Sequence, residues 1–129
     1  MTSPRFFAVG LAIAAVAAVP TTALAKHGGN DGKQVSGNCT GSATSKLKVK
    51  PDNGRLETEF EVDQNRNGVR WTVTIRRNGK VAVNTSARTK APSGSFSIER
   101  RLGNGAGTDR IAARAKSSSG QVCRASLSI

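Results

Sequence analysis

Apolar residues recur at every second position from Ser45 to the end of the chain, in short runs broken by Gly, Asn, Pro and Ser. A helix would repeat its apolar positions every three or four residues, and no stretch of this region does so. Alternation on a period of two marks strands that bury one face. The pattern predicts seven of them, over residues 45–50, 55–62, 69–76, 80–86, 95–102, 109–117 and 121–128. Seven short strands separated by turn signals predict an all-β sandwich. The expected inward set is Leu47, Val49, Leu56, Phe60, Val62, Trp71, Val73, Ile75, Val83, Phe96, Ile98, Ile111, Ala113 and Leu127.

The connections test this assignment, because a slip of one residue exchanges the two faces of a strand. A four-residue loop, Pro51-Asp52-Asn53-Gly54, pairs Lys50 with Arg55 and sets Val49 against Leu56 inside. Outside, Lys48 then meets Glu57 and Lys46 meets Glu59. The alternating charges of "KLKVKPDNGRLETEF" therefore read as cross-strand pairing. At Arg77-Asn78-Gly79 a two-residue turn would place Val81 opposite Arg76 and spoil both faces. The expected connection is a three-residue loop, with Ile75 opposite Val81 and Val73 opposite Val83. Ser118-Ser119-Gly120 is expected to behave alike, setting Ala115 opposite Cys123 and Arg114 opposite Arg124. The first, second and fifth strands then form one sheet, and the fourth, third, sixth and seventh the other.

The stretches "VDQNRNGVRWTVTIRRNGKV", "APSGSFSIERR" and "GAGTDRIAARAKSSSGQVCRASLSI" resemble small secreted Ig-like proteins of high-GC Gram-positive bacteria. The likeness rests on structural motifs: a core Trp71, the hairpin Gly79, and Gly107-x-Asp109 entering the sixth strand. It implies a seven-stranded Ig-like or fibronectin type III-like sandwich and an extracellular compartment, and it implies no catalytic residue. Antibody-type domains bridge their second and sixth strands, where this chain offers Phe60 and Ala113.

The first 25 residues have a different character. A basic start, an apolar run over residues 6–19 and Ala23-Leu24-Ala25 read as a secretory signal peptide cleaved after Ala25. The run is short for a membrane span and no second one follows. Residues 26–38, Gly-rich and polar, are expected to be a disordered tail, and residues 39–129 the folded domain. Cleavage leaves 104 residues with 19 basic and 8 acidic side chains, a net charge of +11. Two cysteines, Cys39 and Cys123, most simply form one disulfide in an oxidising compartment. With one histidine, His27, in the expected tail, they cannot complete a tetrahedral metal shell.

Few residues suggest chemistry. Asp63, Asn65 and Asn67 in "DQNRNG" match the opening of a calcium loop, but the twelfth position, a bidentate Glu in such loops, is Thr74. They are weak candidates, and a plain Asn/Gly-rich connection accounts for them. Glu57, Glu59 and Glu61 share a strand face at a spacing that could suit a glycosidase pair, yet facing lysines would lower the pKa that a general acid needs raised. Serine or cysteine nucleophiles would lack a base. No enzyme and no cofactor is expected. Trp71 falls on the inward face, and a chain with four Phe, one Trp and no Tyr has no aromatic row for stacking on sugars.

The charge is unevenly placed. Residues 46–63 hold four basic and five acidic side chains, whereas from Gln64 onward thirteen basic residues face only Glu99 and Asp109. In the expected registers Arg70, Arg76, Arg110, Arg114, Lys116 and Arg124 all point outward from one sheet. Arg114 opposite Arg124 breaks the rule that like charges avoid direct opposition, and guanidinium groups over a flat face suit phosphate or carboxylate polymers. Solubility alone is the competing explanation for such charge. The expectation is a secreted, monomeric, non-catalytic binding domain. Its partner would be an anionic polymer: a cell-wall phosphate polymer, an acidic polysaccharide or extracellular DNA. An unknown protein read through loops such as "TKAPSGS" is the alternative.

Overall fold

The structure is a computed structural model, and it describes residues 32–129. The expected signal peptide and His27 lie outside the described residues. The strands are β1 (Lys33–Ser36), β2 (Asn38–Cys39), β3 (Thr44–Asp52), β4 (Arg55–Asp63), β5 (Arg70–Arg77), β6 (Lys80–Arg88), β7 (Ser95–Gly103), β8 (Arg110–Ser117) and β9 (Val122–Ser128). They build two antiparallel sheets, ordered β1-β3-β4-β7 and β2-β9-β8-β5-β6, which pack face to face. There is no helix among the described residues.

All fourteen residues expected inside are buried, and Ala43, Leu102, Ala115, Cys123 and Ala125 complete the core. Trp71, fully buried, tilts against Phe96 with ring centroids 6.1 Å apart. Its indole Nε1 donates to Gln64 Oε1 at 3.0 Å, which satisfies the one polar atom of the largest core side chain. Each fully buried large apolar side chain contributes about 1.5–3 kcal/mol.

The strand count differs from expectation, nine rather than seven. Both added strands come from residues 33–39, most of which were expected in the tail. This segment carries two apolar residues, Val35 and Cys39, four positions apart, and so has no readable alternation. It becomes strand by backbone pairing to edges already present: Val35 opposes Leu47 on β3, and Cys39 opposes Cys123 on β9. Between them the chain leaves one sheet and joins the other at Gly37. A Cβ there would lie 2.0 Å from Ser45 Oγ and 2.6 Å from the Arg124 carbonyl oxygen, so only glycine fits the crossing. The Cys39–Cys123 disulfide pins the second half of the crossing to β9.

Two hairpin registers also differ. The first turn is the two-residue Asn53-Gly54, both at positive φ, and not a four-residue loop. Lys50 therefore opposes Glu57, Lys48 opposes Glu59 and Lys46 opposes Glu61, two residues from the expected pairing. An even slip preserves the faces, which is why the inward set survives it. The second turn is likewise two residues, Asn78-Gly79, with Val81 opposite Arg76. The register shifts between Ile75 and Arg76, leaving Ile75 opposite Val83 and Val73 opposite Thr85. This β-bulge repairs the faces that the tight turn would have spoiled, at the cost of an exposed Val81. The third hairpin keeps its expected register, with Ala115 opposite Cys123.

Candidate anion-binding face

The outer face of the five-stranded sheet carries the six expected basic residues, Arg70, Arg76, Arg110, Arg114, Lys116 and Arg124, and all six are exposed. Strand parity alone accounts for this, since each has at least one buried neighbour on its strand that holds it outward. The sequence reading missed a seventh, Arg88, because it ended β6 two residues early. Arg88 stands directly opposite Arg70. The face therefore holds two like-charge pairs, Arg70–Arg88 and Arg114–Arg124.

Four of the arginines converge. Arg76, Arg110, Arg114 and Arg124 surround a shallow groove of about 530 Å3 whose floor includes Thr74, Ala112 and Ser126. Small side chains between long basic ones leave the guanidinium groups room to meet a ligand. Ser36 and Asn38 close one end, a contribution hidden while this segment was read as tail. Arg70 and Lys116 stand on the same face outside the groove lining.

The acidic residues lie elsewhere. Glu57, Glu59, Glu61 and Glu99 share the outer face of the other sheet, where Glu57 has Lys50 on one side and Arg101 on the other. Asp52 pairs with Arg101 at 3.0 Å. Asp109 is buried at the entry to β8, where its Oδ1 accepts from Arg77 Nε and Asn78 Nδ2, each at 2.9 Å. Exchanging the amide oxygen and nitrogen of Asn104 would let it donate to Oδ2 at 3.1 Å. These are the two ion pairs within 4.0 Å among the described residues. No acidic side chain lines the basic groove. One sheet thus presents mixed charge and the other presents one sign.

The loop of the weak calcium candidates is built around backbone hydrogen bonds. Asp63 Oδ1 accepts from Asn65 N at 3.0 Å, and Asn65 takes a positive φ of 56°. Thr89 clamps the same loop from the β6–β7 connection, accepting from Val69 N at 2.9 Å and donating to the Arg66 carbonyl. Asp63 and Asn65 line a small depression with Gln64, Ser42 and Thr44, and Asn67 is not among its lining residues.

No protein-family model matches the chain, and no curated protein or solved structure matches it either.

Proposed function

We propose that the protein is a secreted, non-catalytic binding domain that holds an anionic extracellular or cell-wall polymer on the outer face of its β2-β9-β8-β5-β6 sheet. The observation that carries this reading is the groove itself: four arginines around a floor of small side chains, with no carboxylate in the lining. Opposed arginines destabilise a sheet unless something offsets them, and an anion does so directly. Affinity should fall steeply with salt, because each neutralised charge on the polymer releases a counterion.

The fold is read as an Ig-like domain of the fibronectin type III kind. The division of β3, β4 and β7 from β6, β5, β8 and β9 supports this, because it is the three-plus-four arrangement of those sandwiches. The disulfide, buried at Cys123 and partly buried at Cys39, is compatible with an extracellular location. No helix among the described residues is long and apolar enough to cross a membrane.

The test is retention of the purified protein on cell walls from its source at low and high salt, beside a variant with Arg70, Arg110, Arg114 and Arg124 changed to Ser. Retention of the wild type alone, released by salt, supports the reading. Equal retention of the two proteins, or none by either, overturns it.

A further inference from the structure

We propose that Arg114 and Arg124 act together as a clamp for the phosphate groups of a linear phosphate polymer; this rests on the anion-binding reading above and names its ligand. The argument starts from the hydrogen-bond ladder. Val122 exchanges hydrogen bonds with Thr40, its carbonyl accepting at 2.9 Å and its N–H donating to the hydroxyl at 3.0 Å, so its polar groups point to β2. Alternation along β9 then turns Cys123 toward β8 and Arg124 toward β2 again. Arg114 and Arg124 are thereby a non-hydrogen-bonded pair, the kind in which opposed Cα atoms come within about 4.5 Å and side chains leave the sheet closest together.

Two guanidinium stems thus rise side by side at the centre of a five-stranded sheet. Asn38 flanks Arg124 and Thr74 flanks Arg114, so a row of hydrogen-bond donors crosses four strands. Neighbouring members alternate between about 4.5 and 5.5 Å apart at Cα. Among the described residues no carboxylate stands on this face to occupy either fork.

Two planar forks so close together discriminate between anions. A carboxylate favours donors near the plane of its two oxygens, so one guanidinium bound bidentately leaves a second fork outside that plane poorly placed. An internal phosphate of a linear polymer also has two free oxygens, but these accept from donors all round the P–O axis, so forks approaching in different planes can each bond to it. The chain of such a polymer would then run across the strands along the donor row, and Arg76 and Arg110 would meet its neighbouring phosphates within the groove.

Lysine separates fork geometry from charge, since it keeps the cation and loses the planar donor pair. The experiment is calorimetric titration of the disulfide-intact protein with polyphosphate and with polygalacturonate of matched length and charge, at one ionic strength. The same titrations are run on an Arg114→Lys, Arg124→Lys variant. The wild type is expected to favour polyphosphate by about ten-fold or more, and the variant to bind both polymers alike with salt-sensitive affinity. Equal affinities in the wild type, or a preference that the lysine variant retains, would overturn the clamp while leaving the basic face as the binding surface. Binding of neither polymer by the wild type would overturn both.

Discussion

Arg77 meets Asp109 with two nitrogens, Nε and Nη2, each 2.9 Å from the same carboxylate oxygen. The carboxylate side chain is 3% exposed and the guanidinium 30%, so one partner is fully inside and the other only partly. The pair joins the end of β5 to the entry of β8. Asn78 adds to the join, donating its N–H to the Arg110 carbonyl and accepting the Arg110 N–H through its side chain, both at 2.8 Å. Asp109→Asn should therefore cost about 2–4 kcal/mol, below the full figure for a buried pair because Arg77 can reach water. Urea unfolding of the purified variant measures this. A loss below about 0.5 kcal/mol, the usual size of a surface change, would show the network to be dispensable.

Glycines at positive φ divide into two kinds. Gly79 (φ 83°) has open space where a Cβ would go, whereas at Gly94 (φ 68°) the Cβ would lie 2.2 Å from Arg66 N and 2.7 Å from Asn65 C. Gly79→Ala should cost only the backbone penalty, about 1–2 kcal/mol. Gly94→Ala should cost clearly more, because the β6–β7 connection must move off the loop beneath it. Comparing the unfolding midpoints of the two variants checks the order.

Arg124→Thr removes one member of a like-charge pair and puts a good strand former in its place. Stability should rise by about 0.2–1 kcal/mol while retention on an anionic polymer falls. The opposite movement of the two readouts is the point of the experiment. A variant that loses both would place Arg124 in the structure rather than in binding.

Replacing both Cys39 and Cys123 by Ala opens a closed loop with a sequence separation of 84 residues. The chain-entropy model puts the loss at roughly 4–5 kcal/mol. Hydrogen exchange should show the loss of protection first at Val35 and Thr40, whose segment holds the sheets by short pairings. Uniform loss across β5 and β8 instead would mean that the bridge supports the whole domain and not its margin.

Period-two alternation carried most of this fold on its face. It placed Trp71, Phe60 and the other expected core residues inside, and it divided the seven long strands correctly between two sheets. It could not tell a register from one slipped by two, since both bury the same residues; the Asn-Gly pairs at 53–54 and 78–79 held that information. A bulge is invisible to alternation by nature, because it is a break in it, and Val81 was therefore assigned a partner inside. β1 and β2 left no trace because Val35 and Cys39, four positions apart in "KQVSGNC", are too few apolar residues to show a face. Their place depends on edges built by residues far away in sequence. For the basic face the outward set was legible, but Arg88 and Asn38 required knowing where strands end.

The passage of the chain from one sheet to the other at Gly37 has a consequence for encounters between molecules. On that side the outermost strands are four and two residues long, too short to template a neighbour's backbone. The opposite margins, β6 and β7, are nine residues each. β7 guards its margin with Glu99, Arg100 and Arg101 in succession. β6 carries the bulge opposite Arg76, which interrupts the straight ladder that a second copy would need. Brevity on one flank, and a charged margin and a bulge on the other, thus work against growth into a continuous sheet.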